Sequence, residues 1–83
     1  MKEKIIKSLS DLLTADNMED RVNLEVKVSQ LIGSARFNLE RESELHTKNL
    51  IISTVKNYVY TSDSALRSAL AEHLKVLETH LED

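Results

Sequence analysis

The feature that most constrains the fold is a near absence of helix breakers, since the chain has no proline and a single glycine, Gly33. Inside a helix, glycine costs about 1 kcal/mol and proline about 3 kcal/mol relative to alanine, so a chain that avoids both favours helices. Leucine, glutamate, lysine, alanine and serine are frequent among the remaining residues. There is no cysteine, which excludes disulfides and thiolate metal sites. This composition predicts an all-α protein.

The length of 83 residues predicts a single small helical domain, 1–83. A chain of this size buries only about 60–65% of the surface that its unfolded form exposes, so its core is marginal. Small domains of this kind often need very regular helix packing or a partner subunit. We therefore expect a small antiparallel helical bundle, with three main helices and a short N-terminal helix, that is completed by dimerisation.

The net charge is −3, from 11 basic and 14 acidic residues that are interspersed along the chain. This pattern is typical of a solvated surface and gives no support to binding of a polyanion. No apolar run approaches the roughly 20 residues that a membrane-spanning helix needs. The N-terminus lacks the continuous apolar region and the small-residue cleavage site of a signal peptide. We expect a cytoplasmic protein that does not contact membranes.

The first predicted helix covers residues 1–14, within an N-terminal segment, 1–15, that precedes a core at 17–83. Its apolar face consists of Ile5, Ile6, Leu9, Leu12 and Leu13. A helix of about three turns is marginal alone in water because nucleation is costly. This helix must therefore dock on the core or fray.

The second predicted helix runs from about Met18 to Arg41, after a capping box formed by Asp16 and Glu19. The spacing of its apolar residues is compatible with either a strand or a helix. Val22, Leu24, Val26 and Val28 alternate with polar residues as in a strand, whereas Leu24, Val28, Leu31, Ala35 and Leu39 follow helical spacing. We favour the helix because that pattern extends further. An interior glycine is often tolerated where another backbone approaches, so Gly33 predicts a tight helix crossing.

The most apolar run of the chain is Thr47–Asp63, which we interpret as a central helix. Its apolar residues at helical spacing are Leu50, Ile51, Ile52, Val55, Tyr58 and Val59. Thr47 stands where an N-cap is expected, and Leu45 could pack on Ile51 as a hydrophobic staple. A helix apolar over so much of its circumference should be covered on more than one side.

The last predicted helix, from about Asp63 to Leu81, has the most regular apolar periodicity. Leu66, Ala69, Leu70, His73, Leu74, Leu77 and Leu81 fall on one face. Leucines at this spacing are typical of a helix-pairing seam. We therefore predict a dimer or partner interface at Leu66, Leu70, Leu74, Leu77 and Leu81, with Gly33 as a close-crossing point. Phe37 lies off the main stripe of its helix and is either a second-face core residue or an exposed anchor for a partner.

Three segments in this order resemble the YmgB/AriR family, small enterobacterial regulators of biofilm formation and acid resistance that are also described as two-component-system connector proteins. The segments are Ile32–Leu39, Thr47–Ser53 and Thr61–Asp63, followed by an amphipathic helix with an acidic tail. The matching positions are Ile32, Gly33, Ala35, Asn38, Leu39, Lys48, Asn49, Leu50, Ile51, Thr61, Ser62 and Asp63. The resemblance covers about the last fifty residues, and the first two dozen have no clear counterpart.

The resemblance implies an all-helical homodimer that acts by contact with a signalling or transcription protein. It also allows association with DNA. The polar residues at Lys48, Asn49 and Thr61–Asp63 mark this kinship, and they also have a structural explanation as the starts of helices.

No residue pattern indicates catalysis, a cofactor or a metal. His73 and His80 are seven residues apart, whereas metal ligands on one helix usually sit three or four apart. His46 lies at a predicted helix start and His73 on an apolar stripe, so neither is typical of the solvent-facing histidine of a phosphotransfer protein. With a single glycine, the chain has neither a glycine-rich phosphate loop nor a glycine-flanked nucleophilic serine. We expect no enzyme activity and no small-molecule substrate.

The sequence is therefore interpreted as a small regulatory or adaptor protein that works by protein–protein contact. Two alternatives stay open. One is a DNA-associated regulator acting as a dimer, although Arg36 and Arg41 are interleaved with Glu40, Glu42 and Glu44 and make no basic stripe. The other is an inhibitor of one protein target.

Overall fold

The computed structural model describes residues 2–82, which form four helices and, over that range, no strand. The helices are α1 (Lys2–Thr14), α2 (Met18–Ser34), α3 (Arg41–Thr61) and α4 (Ser64–His80). The prediction of an all-α bundle is confirmed. Met1 and Asp83, which the predicted domain includes, lie outside the described residues.

The four helices occupy the corners of a bundle, since α1 and α3 each pack against both α2 and α4. Successive helices run antiparallel. Arg21, in the first turn of α2, reaches Ser62 just after α3, whereas Lys48 near the start of α3 reaches Gly33 at the end of α2. The interpretation of the run Thr47–Asp63 as a central helix is therefore wrong, because α3 has the same number of helix neighbours as the other three.

The core lies along the bundle axis and draws on all four helices. It consists of Ile5, Leu9, Leu12, Val28, Ile32, Ala35, Phe37, Ile51, Val55, Tyr58, Val59, Leu70, Leu77 and Leu81. Ile5, Leu9 and Leu12 of α1 are 0% exposed. The short N-terminal helix is thus docked between α2 and α4 and forms one side of the core.

The chain leaves the helical path after Ser34, earlier than the predicted end at Arg41. Phe37 pairs with Leu81 in an isolated antiparallel bridge, and the Asn38 amide donates to the His80 carbonyl over 2.6 Å. The Phe37 amide also donates to the Glu44 carboxylate over 2.7 Å. These contacts satisfy the backbone of the connection and bury the Phe37 ring. Phe37 is therefore a core residue that lies in a loop. Of the two predicted possibilities, a core residue and an exposed anchor for a partner, the first is confirmed.

α3 begins at Arg41, six residues before the predicted cap at Thr47. Glu42 and Glu44 lie in its first turn, where carboxylates interact favourably with the positive end of the helix dipole. The segment between the predicted end of the second helix at Arg41 and the predicted cap at Thr47 is therefore helix, and Thr47 lies inside α3. Leu45 is 61% exposed, so the predicted staple with Ile51 does not form.

The starts of α2 and α4 are capped by side chains. Asn17, and not the predicted Asp16, accepts the Asp20 amide over 2.9 Å at the start of α2. Asp63 accepts the Ala65 amide over 2.7 Å at the start of α4. The capping role predicted for the segment Thr61–Asp63 is confirmed, whereas the N-cap of α2 lies one residue after the predicted one.

The leucine stripe of α4 faces the interior of the chain's own bundle. Leu70 and Leu77 are fully buried, Leu81 is buried, and Leu66 and Leu74 pack against the core from its edge. Other helices of the same chain therefore cover this stripe, and the prediction that it forms a dimer seam is wrong. The prediction of a tight helix crossing at Gly33 is also wrong, because a Cβ built there meets no heavy atom within 4 Å.

Candidate protein interaction surfaces

The residues of the segment Lys48–Ile51 divide between structural roles and exposed positions. The Lys48 ammonium donates to the Gly33 carbonyl over 3.2 Å and lies 6.0 Å from the centre of the Phe37 ring. It satisfies a carbonyl in the last turn of α2, where a cation also complements the helix dipole. Ile51 is in the core, whereas Asn49 and Leu50 are exposed. Only the last two are available to a partner.

The segment Thr61–Asp63 has structural roles at all three positions. The Thr61 hydroxyl donates to the Asn57 carbonyl over 2.8 Å. Ser62 adopts a left-handed conformation with φ of 52°, which ends α3, and its hydroxyl accepts from the Arg21 guanidinium. Asp63 caps α4. These residues stabilise the turn between α3 and α4, and this structural role is sufficient to explain why these residue types occur there.

One outer surface lies between α3 and α4 and is here named the α3/α4 face. It is defined by the Thr54–His73 contact and by the residues that lie three, four or seven positions from it on each helix and are not buried: Thr47, Leu50, Asn57, Thr61, Leu66, Ala69, Val76 and His80. None of these is an aspartate, glutamate, lysine or arginine. Leu50 on this face is 49% exposed. The face therefore lacks acidic side chains, lysine and arginine, and it has a large apolar side chain open to solvent.

A polar contact joins the two helices beneath this face. The Thr54 hydroxyl donates to the Leu50 carbonyl over 2.8 Å, and His73 Nε2 lies 3.3 Å from the same oxygen. Because the hydroxyl proton points to Leu50, this oxygen accepts from His73, so Nε2 carries the imidazole proton. Burial lowers the pKa of His73 below its ordinary value of 6.5. The neutral imidazole is the form that suits this site.

A second surface lies on the other side of α3, between α3 and α2, and is here named the α2/α3 face. A groove of about 450 Å³ runs along it. Its lining consists of Glu25, Val26, Ser29, Gln30, Lys56 and Tyr60. Val26 is 48% exposed and Tyr60 is 69% exposed. The groove thus combines apolar and aromatic side chains with one acid and one base.

The exposed apolar residues of α2 and α3 were missed by sequence reasoning, although a signal for them exists. Apolar residues two positions apart lie about 200° apart on a helix. The strand-like alternation of Val22, Leu24, Val26 and Val28 therefore distributes apolar side chains over opposite sides of α2. Val28 is fully buried while Val26 is exposed. A pattern that fits both periods can indicate a helix with two apolar sides.

Within residues 2–82, no group of three or more histidine, cysteine, aspartate or glutamate side chains could hold a metal ion. In the same range, no helix combines the length and the apolar character needed to cross a membrane.

No protein-family model, curated protein or solved structure matches this chain.

Proposed function

We propose that this chain is a small regulatory adaptor of the bacterial cytoplasm that acts by protein–protein contact. By its resemblance to the YmgB/AriR family, it would be a connector that modulates a signalling system controlling biofilm formation and resistance to acid and other stresses. Its role would be non-enzymatic, through binding of a signalling or transcription-regulatory protein.

The observation that carries this proposal is the α3/α4 face. Depletion of charged residues is the compositional signal of the centre of an interface, where desolvating a charge would be costly. Leu50 is 49% exposed, and no aspartate, glutamate, lysine or arginine belongs to this face. Its side chain is therefore suited to enter an apolar pocket of a partner. It also lies in the segment Lys48–Ile51, where the other apolar residue, Ile51, is committed to the core.

The recognition mode that fits this surface is the docking of a partner's helix or groove along α3. Thr47, Leu50 and Asn57 are three and seven positions apart on α3, which is the spacing that a helical partner contacts. The Thr47 hydroxyl and the Asn57 amide group can supply hydrogen bonds without a net charge, whereas the buried Thr54 hydroxyl is already bonded to the Leu50 carbonyl and His73. Leu50 supplies the apolar anchor.

The test is capture of partners from a bacterial lysate with tagged wild-type protein, followed by mass spectrometry. Leu50→Ser should lose a response regulator or transcription regulator that the wild type retains, because it removes the apolar anchor. Leu45→Ser is the matched control, since Leu45 is also an exposed leucine of α3 but lies one turn before Lys48, on the side of α3 that contacts α2. Equal recovery of that regulator by both variants and the wild type would rule out the α3/α4 face.

The DNA-associated alternative is tested with the same preparation. Binding to duplex DNA that falls steeply with added salt would favour it, because release of counterions from phosphates makes such binding salt-dependent. No binding at low salt would remove it.

A further inference from the structure

The groove on the α2/α3 face has the size and the mixed lining of a small-molecule site. Its volume of about 450 Å³ lies within the range of about 300–1,000 Å³ that is usual for such sites. Val26 on α2 and Tyr60 on α3 supply apolar and aromatic walls that are open to solvent. Gln30 adds an amide group that can both donate and accept hydrogen bonds. Apolar walls with a few polar groups are typical of a binding site.

Glu25 is the side chain of this groove that most needs a partner. It is only 9% exposed, and among residues 2–82 its carboxylate has one hydrogen bond, from the Ser29 hydroxyl over 3.2 Å. Arg21, four positions earlier on α2, donates instead to the Ala15 carbonyl and the Ser62 hydroxyl. A carboxylate withdrawn from water is costly unless a counter-charge or further hydrogen bonds compensate it. The groove therefore offers a place for a cationic group.

Lys56 brings the opposite charge to the same groove from α3. It is exposed, and the single ion pair among residues 2–82 joins Lys75 to Glu72 on α4. The two charges of the groove thus belong to neighbouring helices, and the axes of packed helices lie about 8–10 Å apart. An occupant that pairs with both needs an ammonium and a carboxylate that are several ångströms apart, with apolar surface beside them.

We propose that the occupant of this groove is an apolar dipeptide with free ends. Its ammonium pairs with Glu25 and its carboxylate with Lys56, while its side chains cover Val26 and Tyr60. An extended chain covers roughly 3.5 Å per residue, so two residues place their terminal charges about 7 Å apart. A single amino acid carries both charges on one carbon and does not span the two walls. A segment inside a partner protein has neither free end.

This site lies on the other side of α3 from the α3/α4 face. The inference therefore goes beyond the proposed function and does not rest on it. Leu50→Ser, which should lose a protein partner, should bind the dipeptide as the wild type does. If Leu50→Ser instead weakens dipeptide binding as much as Tyr60→Ser, the peptide lies on the α3/α4 face and the proposal is overturned.

The test is nuclear magnetic resonance titration of the full chain, labelled with ¹⁵N, with phenylalanyl-leucine up to about 5 mM, which covers a submillimolar dissociation constant. The amide signals of the residues that line the groove should shift. N-acetylation of the dipeptide should weaken binding at least about tenfold, because it leaves the nearly buried carboxylate without its cation. Amidation of the carboxyl end should weaken it about threefold, since an ion pair with an exposed lysine contributes less.

Variants of the chain assign each end of the dipeptide to one wall. Glu25→Gln keeps an acceptor for the Ser29 hydroxyl and removes the charge, so N-acetylation should no longer weaken binding while amidation still does. Lys56→Gln should give the converse. Glu78→Gln and Lys75→Gln, the same changes at exposed positions of α4, are the matched controls and should keep both dependences.

Four results would overturn the proposal: no shift of the lining residues at the highest concentration, shifts centred elsewhere, equal binding of the free and the capped dipeptides, or phenylalanine alone binding as tightly. Equal binding of the capped forms would mean that the groove takes a polypeptide segment. Because Glu25 is nearly buried, circular dichroism must establish that Glu25→Gln is folded. If it is not, Tyr60→Ser provides the decision, since Tyr60 is exposed and has no part in the core. It should weaken binding of phenylalanyl-leucine at least about threefold by removing the aromatic wall, and unchanged binding would exclude the groove.

Discussion

At the scale of single residues, His73 is a titratable side chain whose pKa is shifted by burial. It is half-buried between α3 and α4, and its Nε2–H donates to the Thr54 hydroxyl. Burial favours the neutral imidazole and lowers the pKa of His73 in the folded chain below 6.5. The unfolded chain therefore binds more protons than the folded chain in the interval between these two pKa values.

The consequence is a dependence of stability on pH with a defined sign. The contribution of His73 is fully present above its unfolded pKa of 6.5 and is lost as pH falls through the lower folded pKa. His73→Gln, which can donate to Thr54 without titrating, should reduce the fall in the free energy of unfolding between about pH 7.5 and about pH 5.5. Urea denaturation at a series of pH values measures this. His46→Gln, at an exposed position, is the matched control; an equal change in both variants would contradict the assignment to His73.

At the scale of the helices, their starts are where the sequence is easiest to misread. At the start of α2 the residues Asp16 and Asn17 are adjacent, and both are good N-caps. Asn17 has extended dihedral angles and accepts the Asp20 amide, and its own amide group donates to the Asp20 carboxylate over 3.0 Å. The cap at Asn17 therefore forms two hydrogen bonds that Asp16 does not.

This difference predicts unequal effects of two neighbouring substitutions. Asn17→Ala should lower the free energy of unfolding by about 1 kcal/mol, because it leaves an amide of the first turn of α2 without a side-chain acceptor. Asp16→Ala should cost less than half as much, since it removes only a favourable charge near the helix start. Thermal or urea denaturation of the two variants side by side gives the comparison. A larger loss for Asp16→Ala would mean that the capping box predicted from the sequence is the correct one.

The sequence was sufficient for the helices themselves, and insufficient for the connection between α2 and α3. The near absence of proline and glycine and the leucine spacing of α4 are local signals, and they predicted the helices correctly. The end of α2 at Ser34 depends instead on the bridge between Phe37 and Leu81, residues that are far apart in sequence. No local sequence pattern predicts such a contact. The start of α3 does have a local signal, the acidic first turn at Glu42 and Glu44, although the threonine at position 47 is also a good N-cap.

The candidate surfaces were predicted less well, for a related reason. Regular leucine spacing on α4 shows which side of the helix is buried, and does not show whether its neighbour belongs to the same chain. Here Leu70 and Leu77 are buried inside a bundle in which α4 packs on α1 and α3, so the candidate surfaces lie between α3 and α4 and between α2 and α3. Their apolar residues, such as Val26 and Tyr60, do not form a single stripe. Only the packing of the other helices identifies them as unused by the core.

At the scale of the whole molecule, the position of α1 decides how many helices the cooperative unit contains. The described chain extends over 35 × 22 × 17 Å, and its core is one cluster to which α1 contributes Ile5, Leu9 and Leu12. In a small domain the stability left after the loss of conformational entropy is only some 5–15 kcal/mol. A helix that supplies several fully buried residues cannot detach without exposing the facing core residues of α2 and α4.

Substitution of Leu9 distinguishes an integral α1 from a frayed one. Leu9→Ala should lower the free energy of unfolding by about 2–5 kcal/mol, because it opens a cavity at a fully buried position. Urea unfolding can be followed by circular dichroism, which reports all helices, and by tyrosine fluorescence, which reports α3 through Tyr58 and Tyr60 since the chain has no tryptophan. Both signals should move together to lower urea. If only the circular dichroism changes and the tyrosine midpoint stays at the wild-type value, α1 unfolds separately from the rest. Ile5→Val, with an expected loss of about 1 kcal/mol, gives the same comparison if Leu9→Ala does not fold.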